Sequence, residues 1–469
     1  MYVYSKSVHK LENATVCMAQ REPADVLMIT GQNPGFSGER QGDHFVAPLT
    51  HDNAVLLRKL FAFTAPKPVL SHTRTFGVGD RLGIATPGHI RALAAYDAMP
   101  VFAQQSIREL NLTNRSFGDV LDSATFAVFR EDFQRGYGAD GDHLKNDGEV
   151  EYALKSGFSM ITLDCSEHIR NDVPGMTGAE LDSAYTSNAQ LESIYCNKPH
   201  SVEANTFIFS TEEYRRTALI YCAAIDFAES IYHSHIKGKP VDFEISIDET
   251  LTPTTPGQHF FVANELTRRG VRFQTIAPRF CGEFQKGIDY IGDIAQFTRE
   301  LDAHAAIARH FGYKLSTHSG SDKFSIFPII GRGTGGTFHV KTAGTSWLEA
   351  MCVVAMADPA LYREVHTFAL EMFPEAKKYY HVTTDLAKIP ALDSLTDEHL
   401  PQLFEQSDAR QLIHISYGLI LNAKDKAGLY LFKNRLYSLW REHAELYAKR
   451  LEQHIGKHLQ LLYEGFQGR

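Results

Sequence analysis

Along the middle of the chain, short runs in which apolar and polar residues alternate are separated by longer stretches whose apolar residues recur every three or four positions. The first spacing marks strands and the second marks helices. The strand-like segments are 82–89, 99–106, 136–143, 158–164, 241–249, 271–279, 313–320 and 337–344. Between them, Ile220, Ala224, Phe227 and Ile231 repeat at helical spacing up to Gly238 and Pro240, and Ile294, Phe297, Leu301, Ala305 and Ala308 do so up to Gly312. "SWLE" (346–349) predicts a capping box opening the helix "AMCVVAMA". Eight strand–helix units favour an α/β fold, a (β/α)8 TIM-like barrel, over an open sheet. The expected barrel runs over 81–356, with an N-terminal extension at 1–80 and an irregular insertion at 169–210. A helical region at 357–469 follows, packed on the barrel and ending in Leu451, Ile455, Leu459 and Leu462. Segment 320–336 has room for only a short helix.

The alternation also sorts the strand faces. In "DFEISID" (242–248), Phe243, Ile245 and Ile247 share one face and Glu244, Ser246 and Asp248 the other. Ile161 and Leu163 oppose Thr162 and Asp164 in the same way. Ser316 shares a parity with His318, and His339 with Lys341. The outer face of a barrel strand must meet helices, so the polar sets point inward. Buried charges there need partners or a metal. A solvated interior closed by structural ion pairs is the plain alternative.

His318 and His339 end the seventh and eighth strands and His143 ends the third. One histidine alone is by default structural; three at one end of a barrel can share a divalent transition metal, with His168 and His259 as reserve ligands. Asp142, Asp164, Asp248 and Glu249 are acid/base candidates. Strand parity points Asp248 inward, whereas Glu249 lies where strand gives way to loop. Arg279, Lys286, Asp322, Lys323, Arg332 and Lys341 could grip an anionic, hydroxyl-rich ligand, although for each alone a surface salt bridge is the default. "GRGTGG" (331–336) has the letters of a dinucleotide fingerprint but precedes a strand rather than a helix, so no nicotinamide is expected. An ordinary turn, or a backbone nest for an anion, fits it better.

Composition narrows the classes. The 469 residues are 43% hydrophobic and 22% charged, with a net charge of −9 and no basic run, which argues against nucleic-acid binding. No apolar run approaches the ~18 residues that cross a bilayer, and the N-terminus has no apolar signal core. The expectation is a soluble, cytoplasmic protein, compatible with a homo-oligomer. Six widely spaced cysteines read as buried thiols in a reducing compartment.

Together, "GADGDHLK" (138–145), "IDETLTPTTPGQHFFVANEL" (247–266), "APRFCGEFQKGIDYIGD" (277–293) and "THSGSDKFSIFP" (317–328) resemble the tagaturonate/fructuronate epimerases of bacterial hexuronate catabolism, across most of the chain. The resemblance implies a metal-dependent epimerase that inverts one hydroxyl-bearing carbon of a keto-hexuronate. It implies Asp142 and Glu249 as the proton-handling pair and His143, His318 and His339 as ligands of a divalent cation (zinc, nickel, manganese or iron). Lys145 joins Arg279, Lys286, Asp322, Lys323 and Lys341 in the substrate-binding set. The inverted carbon lies one position beyond the carbon next to the ketone, so its C–H is not acidified by the carbonyl. Retro-aldol cleavage and recapture solves that difficulty; direct proton transfer would need a carbanion without evident stabilisation. The alternatives are a class II aldolase or ketose isomerase acting on a sugar acid, and a non-catalytic sugar-acid binding protein.

Overall fold

The computed structural model describes residues 2–467. Eight parallel strands close into a barrel: β1 Arg74–Val78, β2 Met99–Ser106, β3 Gly138–Leu144, β4 Met160–Asp164, β5 Asp242–Ile247, β6 Thr275–Pro278, β7 Lys314–Thr317 and β8 Phe338–Thr342. Each pairs with its neighbours in chain order, and β8 pairs with β1 in the register Phe338↔Arg74 to Thr342↔Val78. Seven strands fall where the alternation placed them. The first does not. It is the five-residue "RTFGV", inside the expected extension, whereas 82–89 forms a turn and the start of the helix Thr86–Ala94, with Pro87 in its first turn.

The inner and outer faces follow parity. Phe243, Ile245 and Ile247 are at most 1% exposed and belong to the large core between barrel and helices, while Glu244 and Ser246 are equally buried inside. Residues 2–48 form a six-stranded antiparallel sheet with its own core against the helices His51–Leu60 and Phe117–Glu131. After β8 the chain is helical, from Thr345–Ala357 and Pro359–Ala376 through Ser407–Ile415 to the long Ala444–Gln467. The last of these packs on the short helix Phe327–Gly333 between β7 and β8. That contact explains two glycines of the run, Gly331 and Gly336. A Cβ on Gly331 would stand 2.0 Å from the Leu462 carbonyl oxygen, and one on Gly465 would stand 2.2 Å from that of Pro328. The expected capping box at 346–349 does not form: Ser346 Oγ donates to the Gly79 carbonyl, and Glu349 pairs with Arg450 and His454. The cysteines are free thiols, four buried and two (Cys196, Cys222) half-buried. Among the described residues, no helix is long and apolar enough to cross a membrane.

Many histidines are interior. Burial holds His89 and His366 at about 4 and His304, His339 and His458 at about 3, and it lowers His200, His259 and His414 as well. His143, His318 and His454 run the other way: burial opposes their charge, but neighbouring carboxylates outweigh it and raise them. An unfolded histidine titrates near ~6.5, so each lowered ring contributes stability that is complete above that value and is lost as pH falls towards its folded value. A raised ring contributes below that value and loses its contribution as pH rises. The lowered set is the larger. The thermal midpoint should therefore fall steadily from about pH 6.5 to about pH 4, with net proton uptake on unfolding in calorimetry. A flat midpoint across that window would refute this.

Candidate active site

The C-terminal rim of the barrel opens into a cavity of about 290 Å³. Its floor is a charge network centred on Lys341, which β8 carries inward. The ammonium lies 2.7 Å from Asp140 Oδ2, 2.5 Å from Asp142 Oδ1 and 3.1 Å from Glu244 Oε1, and it donates to Thr162 Oγ1 at 2.7 Å. Three carboxylates from β3 and β5 thus surround one cation, all of them buried. Burial pushes Asp140 up to about 6, helped by Asp142 and Glu244 and opposed by Lys341. For Asp142 and Glu244, burial loses to Lys341 and the nearby histidines, and both are held low. Lys341 itself is raised despite burial.

Above this floor, His143, Asp248 and His318 converge from the ends of β3, β5 and β7. Their nearest ligand atoms lie within 4.8 Å of one another. His143 Nε2 is 3.5 Å from Asp248 Oδ1, and His318 Nδ1 is 3.3 Å from Asp248 Oδ2. The outer nitrogens are oriented: His143 Nδ1 meets Asp142 at 2.8 Å, and His318 Nε2 meets Glu244 at 2.7 Å. Ser246 Oγ donates to Asp248. His143 adopts φ +54°, a left-handed conformation costing roughly 1–2 kcal/mol, at the strand end where the ring turns into the cavity.

This donor set fits a divalent cation. Two imidazoles and a carboxylate are suitable ligands, and each ring is backed by a second carboxylate, the usual orienting arrangement for a metal-bound histidine. His318 Nδ1 is buried and makes no hydrogen bond. The carboxylate-rich field that raises both rings also favours added positive charge.

The other expected residues divide. Asp142, Glu249, Arg279, Lys286 and Lys341 line the cavity. Glu249 is 38% exposed at the mouth, 3.8 Å from Arg108. Lys286 is half-buried and donates to Ser319 Oγ at 3.0 Å; desolvation, together with Arg108 and Arg81, lowers its ammonium. Arg279 donates to the Thr250 carbonyl and faces Glu283.

His339 is not in the cluster with His143 and His318. It sits two residues before Lys341, deeper in the barrel, with Nδ1 2.9 Å from Thr75 Oγ1. Asp322 and Lys323 do not line the cavity. Asp322 turns outward to Arg410 (2.8 Å) and His454 (2.6 Å), and Lys323 Nζ donates to the carbonyls of Gln285, Ile288 and Ser321, tying two loops together. Lys145 lies beside Asp164 and Glu167 rather than in the cavity wall. Of the reserve ligands, His259 is buried between helices against His304 and Tyr313, and His168 stacks on Phe227.

Sequence patterns alone passed over Arg108 and Glu109. Their signal was present in "SIREL", where Ser106 and Glu109 form a capping box at the head of the helix Ile107–Thr113. Glu109 Oε1 also accepts two hydrogen bonds from Arg81, and Arg108 lies over the Tyr380 ring at 5.0 Å. Tyr379, Tyr380 and His381, past the helix Pro359–Ala376, close one side of the mouth. Nothing local in that segment announces a cavity.

The sequence model of a family described as UxaE, tagaturonate epimerase, matches residues 4–462. A protein from Thermotoga maritima named tagaturonate/fructuronate epimerase is 42% identical over 473 residues, spanning 98% of this chain and 96% of that protein. Crystal structures of the fructuronate-tagaturonate epimerase UxaE from Cohnella laeviribosi, native and complexed with one glycerol, are 48% identical with a TM-score of 0.96. They cover 98% of this chain and 96% of theirs.

Proposed function

From the premise that this chain belongs to the tagaturonate epimerase family, we propose that it interconverts D-tagaturonate and D-fructuronate by retro-aldol cleavage and recapture at a metal-dependent centre. The observation that carries the reading is the meeting of His143, Asp248 and His318 over the cavity floor. These three residues would hold the cation, with Asp142 and Glu244 orienting the rings. A divalent cation there supplies positive charge against the enediolate that develops from the ketone and its neighbouring hydroxyl.

We assign proton handling to Asp142 and Glu249, both on the cavity wall. One carboxylate takes the proton of the hydroxyl on the carbon to be inverted. The bond from that carbon to its neighbour on the ketone side breaks, leaving an aldehyde and an enediolate. The aldehyde turns its other face, the bond re-forms, and the new alkoxide takes a proton from the opposite carboxyl. Lys341 keeps Asp142 ionised in the resting site, before the hydroxyl proton arrives. Lys286, a desolvated ammonium facing the like charges of Arg108 and Arg81, and Arg108 at the mouth are suited to the distal carboxylate, with Arg279 beside them. The helical segment after β8 closes the mouth through Tyr380.

The test is to incubate the metal-loaded protein with D-tagaturonate in deuterated water and follow D-fructuronate by NMR. Product without deuterium at the inverted carbon is expected; deuterium there would overturn retro-aldol cleavage. Treatment with a chelator should abolish turnover, and zinc, nickel, manganese or iron should restore it. Full activity after exhaustive chelation would refute metal dependence. The aldolase alternative predicts accumulating aldehyde fragments, and the binding-protein alternative predicts affinity without turnover.

A further inference from the structure

Gln104 is a polar group of the cavity that the reading above leaves without a task. It points inward from β2 beside Asp140, is 1% exposed, and lines the cavity. Its Nε2 donates to the Thr342 carbonyl at 3.4 Å, which fixes the orientation of the amide, while Oε1 is buried without a hydrogen-bond partner. An amide oxygen buried in this way costs free energy unless something donates to it. The neighbouring strand makes room for that oxygen: a Cβ on Gly77 would lie 1.9 Å from Oε1. Gly77 has no left-handed conformation to explain a glycine, so the missing side chain serves the amide.

We propose that Gln104 Oε1 accepts a hydrogen bond from a hydroxyl of the bound keto-hexuronate and makes the site selective for a sugar acid carrying it. The inference rests on the proposed substrate class. In that reading the ketone and its adjacent hydroxyl face the cation triad, the next hydroxyl faces the carboxylates, and the terminal carboxylate faces the cationic wall. The hydroxyls left are those on C1 and C5, and Gln104 takes one of them. Gln105 is a natural control. Its amide is also buried and unpartnered, but alternation turns it to the other side of the strand and it does not line the cavity.

The experiment measures affinities of the full-length, metal-loaded protein by calorimetry, for D-tagaturonate and for its two analogues lacking the C1 or the C5 hydroxyl. Wild type should bind one of the analogues about tenfold more weakly than D-tagaturonate. Gln104→Met should weaken D-tagaturonate about tenfold while leaving that analogue within about twofold of wild type, and Gly77→Ala should do the same by displacing the amide. Gln105→Met should leave the ratio unchanged. The proposal is overturned if wild type binds both analogues as tightly as D-tagaturonate, if Gln104→Met weakens all three ligands alike or none, or if no ligand binds. Turnover separates the two ideas: selectivity without epimerisation sinks the function and spares Gln104, and epimerisation without selectivity does the reverse.

Discussion

Lys341→Met is expected to destabilise the protein by about 3–5 kcal/mol, the largest effect of any single substitution in the barrel. The ammonium is the shared counter-charge of Asp140, Asp142 and Glu244, and no other cation of the described residues contacts all three. Methionine fills similar space but leaves three buried carboxylates facing one another. Coulomb repulsion at such distances far exceeds the packing gained. Urea unfolding should show a lowered midpoint at neutral pH, and Asp140→Asn in the same background should recover part of the loss. Asp140, already pushed to about 6, is the carboxylate most easily surrendered. A Lys341→Met protein of wild-type stability would mean that the network is not the closure of the barrel interior.

Asp248→Ala should lower kcat by about 10³-fold and release the cation, because among the described residues its carboxylate alone bridges the two imidazoles. Metal analysis of the purified variant, alongside turnover of D-tagaturonate, checks both parts. His339→Gln provides the contrast: with its ring tied to Thr75 below the triad, its loss should leave bound metal at the wild-type level. Metal retained by Asp248→Ala and lost by His339→Gln would reverse the ligand assignment.

These two residues also show how far the chain could be read without coordinates. Parity along "DFEISID" placed Asp248 inside, because a strand's period of two leaves no choice of face once Phe243, Ile245 and Ile247 are buried outward. The same parity put His339 inside, correctly, but alternation carries no information on depth. His339 lies one inward step short of the rim that His143 and His318 reach. Asp322 and Lys323 stand close to His318 in sequence, yet Asp322 meets Arg410 and His454, and Lys323 meets the Gln285 and Ile288 carbonyls, all beyond any local rule. The first strand escaped for another reason: "RTFGV" is short, and the apolar letters of "LGIATPGH" just after it belong to the turn leading into a helix, for which Pro87 is the better clue.

The corner that presents His318 is braced from the last helix of the protein, where His454 grips Asp322 and the His458 ring accepts its backbone N–H. During synthesis, then, the barrel strands are all made before the brace exists. The ribosome must translate past His458 before the centre can be set, so a product terminated ahead of His454 should be inert even though every rim ligand has been translated.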